Sequence, residues 1–186
     1  MKPGAGAQPD HATRLALVVM GVSGGGKSTL AAALGNALAL AVFEGDELHA
    51  PQSVQKMKNG QALSDEDRWP WLDRIGALLA DTGRTPAGLV VSCSALKQAY
   101  RERLRQAGPP SQLRFVFLHG APALIQARLA QRQGHYMPAT LLASQLQTLE
   151  PPGLDESDVM HLDITAPVPE LVGQVLSSLG RQRVSG

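Results

Sequence analysis

The sequence predicts a three-layer α/β domain in which helices cover both faces of a central five-stranded parallel sheet. Five short apolar runs alternate with segments of helical periodicity, the pattern of parallel strands joined by crossover helices. A length of 186 residues fits one such domain. We expect the domain to span 14–180, after a disordered leader (1–13) that carries two prolines and two glycines and before a short tail (181–186).

The stretch between the first strand and the first helix carries the clearest chemical signal. Residues 15–20 form an unbroken apolar run typical of a buried strand, and Leu30, Leu34 and Leu38 recur every fourth residue in the helix that follows. The intervening residues 21–29 satisfy the phosphate-binding P-loop pattern G-x-x-x-x-G-K-[ST]. Because a strand and a helix flank the motif as the P-loop requires, the sequence predicts a nucleoside triphosphate site.

We expect the whole loop to contact ATP. Backbone N–H groups of a glycine-rich loop converge on phosphate oxygens, and the helix N-terminus adds partial positive charge. Lys27 would reach the β- and γ-phosphates as a catalytic cation, and the Ser28 hydroxyl would ligate Mg²⁺, the cofactor that accompanies ATP. The predicted ATP-binding residues here are Gly21, Val22, Ser23, Gly24, Gly25, Gly26, Lys27, Ser28 and Thr29.

The remaining elements follow in order along the chain. Further strands are predicted over 41–44, 88–93, 113–118 and 159–163. Helices are predicted over 52–58, from 64–67 onward, over 97–107, from Pro122, over 141–149 and over 167–179. Pro70 fits a helix that begins near Asp67 and is awkward in one that begins at Ser64, and both readings stay open.

Polar residues that follow the strands are site candidates, because ligands of open parallel sheets bind beyond the carboxyl ends of the strands. Asp46, after the second strand, could hold an acceptor hydroxyl, accept its proton or ligate Mg²⁺ through water. A simple turn residue is the alternative. No Asp ends the strand 88–93, and the Asn-Lys-x-Asp guanine-reading motif is missing. Both absences favour a small-molecule kinase over a motor ATPase or a GTPase switch.

A pair of arginines precedes a glycine-containing loop. Arg128 and Arg132 lie four residues apart on one helix face, and the loop 134–138 has the composition of a hinge. We therefore predict a mobile helical lid over about 128–140, with Arg132 acting catalytically on the transferred phosphate. A solvated arginine face is the alternative. His135 could contact a phosphate or pack against its neighbour.

Composition limits the partners and the location. Lys and Arg number 17 against 16 Asp and Glu, so the basic excess that nucleic-acid and membrane-surface proteins carry is missing. The one cysteine, Cys93, permits no internal disulfide, and we expect it to be buried. No apolar run approaches the ~20 residues of a membrane span. We predict a cytoplasmic protein that binds small molecules, with Trp69 and Trp71 as packing residues.

Several segments together resemble the gluconokinase (gluconate kinase) family of P-loop small-molecule kinases. The most particular are Asp-Glu-Asp-Arg (65–68) and Cys-Ser-Ala-Leu-Lys (93–97). Further matching segments lie at 20–28, 44–49, 56–60, 128–136 and 145–151. The resemblance covers about 15–179 and implies in-line transfer of the ATP γ-phosphate to the 6-hydroxyl of D-gluconate. It also implies a homodimer.

The resemblance assigns residues outside the P-loop. An acceptor-binding region is implied over about 46–72, with Asp46 on the acceptor hydroxyl. Arg128 would flank the adenine together with the segment 163–167, which adds Asp163 and Ala166 to the ATP-binding set. A guanidinium or an ammonium suits the carboxylate of gluconate. The candidate substrate-binding residues are Asp46, His49, Arg68, Lys97, Arg101 and His135.

Two positions depart from the family pattern, and two alternative functions stay open. Gly25 stands where the family commonly has Ser, and Ala50 separates His49 from Pro51. The first alternative is another small-molecule P-loop kinase such as shikimate kinase, against which residues 46–72 argue. The second is a nucleotide-binding regulator without turnover. Against it stand the intact site residues Lys27, Ser28, Asp46 and Arg132.

Overall fold

The computed structural model describes residues 14–81, 83–107, 112–131 and 139–184. Its centre is a five-stranded parallel sheet of order β2-β3-β1-β4-β5. The strands are β1 (Leu15–Met20), β2 (Ala41–Glu44), β3 (Gly88–Ser92), β4 (Gln112–His119) and β5 (Val159–Asp163). The predicted fold class is confirmed. The predicted leader and the centre of the predicted lid lie outside the described residues.

Seven helices lie within the described ranges and cover the sheet. They are α1 (Lys27–Leu38), α2 (Pro51–Lys58), α3 (Asp65–Ala80), α4 (Gln98–Gln106), α5 (Pro122–Gln131), α6 (Ala139–Thr148) and α7 (Val168–Val184). None of the helices in those ranges combines the length and apolarity needed to cross a bilayer.

The central strand β1 shows why the sheet is buried on both sides. Leu15, Leu17 and Val19 pack into one apolar cluster, which α1 and α7 help to build. Ala16 and Val18, on the other face, pack into a second cluster with α3 and α4. Successive side chains of a strand point to opposite faces, so an unbroken apolar run is what a strand covered by helices on both sides requires.

Ser64 settles where α3 begins. Its Oγ accepts a hydrogen bond from Asp67 N, and its own N–H donates to the Asp67 carboxylate at 3.0 Å. This reciprocal pair is a capping box, which fixes the helix start at Asp65. Pro70 therefore lies inside the helix, in the position that the sequence left as the awkward alternative. Since Pro70 is exposed, water can reach the carbonyl that its missing N–H leaves without a helical partner.

Candidate active site

Two clefts open at the carboxyl ends of the strands. The larger, with a volume of about 680 Å³, lies over the P-loop and includes Gly24, Lys27, Ser28, Glu44 and Arg128 among its walls; we call it the P-loop cleft. The second, which we call the side cleft, lies beside it. Its walls include Asp46, His49, Leu63, Arg68 and Gln145.

The P-loop has the geometry that a phosphate site needs. Gly26 is the N-cap of α1 with φ 90°, a left-handed conformation that favours glycine. Because glycine has no side chain, it cannot cap the first N–H groups of α1 itself, and a bound anion can accept from them. Lys27 Nζ donates a 3.1 Å hydrogen bond to the Val22 carbonyl oxygen, which holds the ammonium over the loop.

Ser23, Lys27 and Asp46 line both clefts. Ser23 and Lys27 come from the P-loop, whereas Asp46 comes from the turn after β2. The boundary between the two clefts therefore carries an ammonium, a carboxylate and a P-loop amide. The sequence predicted Lys27 for the phosphates and Asp46 for the acceptor hydroxyl, and both residues line this boundary.

Glu44 is a site residue that the sequence analysis did not single out. Its Oε2 accepts a 2.9 Å hydrogen bond from Ser28 Oγ and a 2.6 Å bond from Ser92 Oγ. The β2–β3 register pairs Glu44 with Ser92, the last residue of β3. β3, which has no Asp at its end, therefore supplies the hydroxyl of Ser92. The carboxylate comes from Glu44 at the end of the neighbouring strand, β2. The signal was available, since Glu44 ends the second strand directly before Gly45 and Asp46.

The turn after β2 is held in place from α3. Gly45–Leu48 form a 3₁₀ turn, and Trp71 Nε1 donates a 2.7 Å hydrogen bond to the Gly45 carbonyl oxygen. A Cβ on Gly45 would lie 2.2 Å from the Ser92 carbonyl oxygen, so only glycine allows the turn to pack this closely against β3. Trp71 is 1% exposed, which confirms its predicted packing role and adds a positioning role.

His49 forms part of the side-cleft wall and is stacked on Trp71 with 12° between the ring planes. Burial lowers the pKa of His49 to about 4, with Asp46 opposing the shift and Arg68 adding to it. The imidazole is therefore neutral at physiological pH. Its Nδ1 is buried and makes no hydrogen bond to any described residue. Buried polar atoms are rarely unpartnered, so a ligand group is the natural partner for Nδ1.

Of the basic residues predicted to bind the substrate, Arg68 lines the side cleft, whereas Lys97 is not among its lining residues. Arg68 is 8% exposed and donates from Nε to the Leu63 carbonyl oxygen at 3.4 Å, which leaves four further N–H donors on its guanidinium. Lys97 Nζ instead donates to both carboxylate oxygens of Asp65 at 2.8 Å. That pair ties the start of α4 to the start of α3, so Lys97 is committed to a structural contact in this geometry.

The expectation that Arg101 contacts the substrate finds no support in the structure. Its side chain is 1% exposed, and its guanidinium donates to both oxygens of Glu156 at 2.7 and 2.5 Å. It also donates to the Glu150 carbonyl oxygen at 3.1 Å. These contacts clamp α4 to the segment before β5, and they lower the pKa of Glu156 to about 2. Arg101 is therefore a structural residue.

Arg128 and Ala166, two of the residues predicted to flank the adenine, lie beside the P-loop. Arg128 donates to the Ile164 carbonyl oxygen at 2.6 Å. Together with Ala166 it lines a cavity of about 300 Å³ that adjoins Gly24–Gly26. Asp163, exposed at the end of β5, accepts from Thr165 N at 2.8 Å and so shapes this loop. The two remaining candidates, Arg132 and His135, lie outside the described residues.

Comparisons with known proteins find a family model and several gluconokinases. A family model described as an AAA domain matches residues 17–152. The thermoresistant gluconokinase of Escherichia coli K12 is 39% identical over 159 residues, covering 86% of this chain and 90% of that protein. The gluconokinase of Gluconobacter oxydans 621H is 46% identical over 152 residues, covering 79% and 84%. A gluconokinase structure from Sinorhizobium meliloti 1021 gives a TM-score of 0.82 at 44% identity, covering 91% and 94%.

The parallel sheet, the P-loop and the paired clefts define the chain as a P-loop kinase. A shikimate kinase structure from Aquifex aeolicus matches at 17% identity with a TM-score of 0.53, and the match covers 92% of this chain and 100% of that structure. At this identity the likeness shows the fold alone. The identity to gluconokinases is far higher and extends over most of both chains. The chain belongs to the gluconokinase family, and the resemblance read from 65–68 and 93–97 is confirmed.

Proposed function

We propose that this chain transfers the γ-phosphate of ATP to the 6-hydroxyl of D-gluconate. The observation that carries the proposal is the boundary formed by Ser23, Lys27 and Asp46, which line both clefts. A triphosphate seated on the P-loop would present its last phosphorus to the side cleft, where an alcohol can approach in line. Membership of the gluconokinase family supports gluconate as that alcohol.

The proposed roles follow from position. Lys27 and the α1 amide groups hold the triphosphate and balance charge on the transferred phosphoryl group. Asp46 accepts a hydrogen bond from the 6-hydroxyl and takes its proton as the new P–O bond forms and the bond to the β-phosphate oxygen breaks, releasing ADP. Arg68 binds the carboxylate of gluconate, and His49 Nδ1 contacts one of its hydroxyls. The catalytic role of Arg132 stays a prediction.

Ser28 and Glu44 fit a Mg²⁺ site. Their hydroxyl and carboxylate are hard oxygen ligands, and Mg²⁺ in such enzymes takes one or two protein groups beside the phosphates. No described group of three or more His, Cys, Asp or Glu could hold a metal by itself, which suits an ion that arrives with ATP. When bound, Mg²⁺ supplies charge neutralisation on the β- and γ-phosphate oxygens. Ser92 would keep the Glu44 carboxylate turned toward Ser28.

A coupled ADP-release assay with Mg·ATP tests the proposal against gluconate, shikimate and nucleoside monophosphates. We expect turnover with gluconate, a phosphate ester at its terminal alcohol in the product's ³¹P spectrum, and severe loss of kcat in Lys27→Ala. Equal hydrolysis with every acceptor would contradict the proposal. Nucleotide binding without turnover on any acceptor would support the regulator instead. Near-normal kcat in Asp46→Asn would show that Asp46 is not the base.

We also propose a cytoplasmic setting, which the composition of the chain supports, and a homodimer, which family membership supports. Sedimentation velocity over a tenfold range of protein concentration tests the second. A homodimer would sediment with about twice the monomer mass across the range, whereas a single species of 19.6 kDa would contradict it.

A further inference from the structure

Helix α6 forms a wall of the side cleft that the sequence analysis did not assign to the site. Leu141, Ser144 and Gln145 stand at i, i+3 and i+4, so they share one helix face. All three line the side cleft. The neighbouring Leu142 is 3% exposed and belongs to the apolar cluster beneath the sheet. The cleft-facing side of α6 is therefore held by a packed core.

The side chain of Gln145 reaches the P-loop. Its Oε1 accepts a 2.7 Å hydrogen bond from the backbone N–H of Ser23. Because a backbone N–H can only donate, the oxygen of the amide must lie at Ser23, and the NH₂ group must lie on the other branch of the planar amide. Ser23 lines both clefts, so this bond fixes a group with two donor hydrogens at the boundary between them.

The side cleft otherwise offers groups of different kinds for a polar ligand. Arg68 supplies a cation, Asp46 an anion, and His49 a ring nitrogen that is buried without a partner among the described residues. A polyhydroxylated acid presents several hydroxyls, each of which both donates and accepts. A fixed neutral donor such as the Gln145 amide matches one of those hydroxyls without adding charge near the phosphates.

We propose that Gln145 determines acceptor specificity by donating from Nε2 to one hydroxyl of the sugar acid. The inference rests on the proposed phosphorylation of gluconate. Because the same amide is bonded to Ser23, it sets the position of the acceptor relative to the P-loop. Loss of the amide should therefore lower kcat as well as raise the KM for gluconate.

The test compares Gln145→Met with Gln147→Met. Methionine has nearly the same length as glutamine and suits a helix, but it offers neither the carbonyl oxygen nor the NH₂ group. Gln147 lies exposed on the same helix and serves as the matched control. Each protein is assayed with gluconate and with gluconates that lack one hydroxyl at C2, C3, C4 or C5. Calorimetry with Mg·ATP and no acceptor measures nucleotide binding separately.

We expect wild type and Gln147→Met to lose roughly 3- to 10-fold in kcat/KM when the contacted hydroxyl is missing, as for a neutral hydrogen bond. Gln145→Met should lose a similar factor with gluconate itself and lose little more with that one deoxy acceptor. The inference would be overturned if each deoxy acceptor lowered kcat/KM by the same factor in Gln145→Met as in wild type. A change confined to Mg·ATP affinity would also overturn it, because Gln145 would then act only on nucleotide binding at the P-loop. If wild type turns over ATP but never phosphorylates gluconate, the proposed function fails as well.

Discussion

The imidazole of His49 lies on the indole of Trp71 with 4.3 Å between the ring centroids. The same indole holds the Gly45 carbonyl oxygen at the other end of the turn. One side chain of α3 thus fixes both ends of the segment that carries Asp46. Trp71 therefore links the apolar core to the geometry of the acceptor region.

Trp71→Phe should weaken acceptor use more than nucleotide binding. Phenylalanine keeps a ring beneath His49 but leaves the buried Gly45 carbonyl without the indole donor, which costs about 1–3 kcal/mol of unfolding free energy. Urea unfolding measures the stability, and steady-state kinetics should show a several-fold rise in the KM for gluconate. Trp69→Phe is the control, because Trp69 packs edge-on against Tyr100 at 5.4 Å. An equal effect of Trp71→Phe on Mg·ATP affinity would contradict this view.

His49 should stay neutral far below its ordinary pKa of 6.5, because its pKa in the folded protein is about 4. Since folding favours the neutral form, its contribution to stability is complete above pH 6.5 and is lost as the pH falls toward 4. NMR of the imidazole nitrogens over this range measures the titration, with the urea-unfolded chain as reference. Titration of folded His49 near pH 6.5 is the outcome that would refute the prediction.

Glu44→Gln should raise the Mg²⁺ concentration needed for half-maximal activity, by roughly tenfold or more if it loses a metal contact. Glutamine keeps the size of the side chain and an oxygen for the two serines but removes the charge. The measurement is a Mg²⁺ titration at fixed ATP. Ser92→Ala, which removes only one support of the carboxylate, should give a smaller shift. An unchanged Mg²⁺ requirement in Glu44→Gln would exclude Glu44 from the metal site.

Glu156→Gln should destabilise the fold by about 3 kcal/mol at neutral pH, because it leaves the buried Arg101 guanidinium without its counterion. The pKa of Glu156 lies near 2 in the folded protein against an ordinary 4.5. Its contribution is therefore complete above pH 4.5 and is lost as the pH falls toward 2. Urea unfolding across this range should show a weaker pH dependence in the variant.

Asp73→Asn is the matched control for the Glu156 experiment. It breaks the pair of Asp73 with Arg103, whose side chains are 56% and 42% exposed. Water screens such a pair, so its loss should change stability little. A loss as large as that of Glu156→Gln would mean that burial does not set the strength of these contacts.

The strands were predictable because their signal is local. Each apolar run became a strand. β1, β2 and β5 have the predicted bounds, β3 ends one residue early, and β4 (Gln112–His119) extends one residue beyond 113–118 at each end. The order of the strands was not predictable, because parallel strands joined by helices can be arranged in several ways with the same periodicity. The start of α3 could be assigned only from the side-chain contacts of Ser64, because the sequence is compatible with a helix that begins at either end of 64–67.

The candidate site was predictable where it lies in one segment. The P-loop and Asp46 follow directly from the strands before them. The contacts of Arg101 could not be predicted because its partner, Glu156, is 55 residues away. Arginines stand at alternating positions of α4 (101, 103 and 105). The sequence does not show which of them pairs with a buried carboxylate. Glu44 was passed over because its importance depends on Ser92, its partner across the β2–β3 register.

Cys93 is the one cysteine of the chain, and it is 0% exposed with a thiol pKa raised by burial to about 12. The thiolate is the form of cysteine that attacks electrophilic thiol reagents, so maleimide dyes and spin labels should not react with Cys93 in the folded protein. A new cysteine placed on the surface would then be modified alone, with no need to remove the natural one. The enzyme thus offers a ready background for fluorescence or spin-resonance distance measurements during turnover.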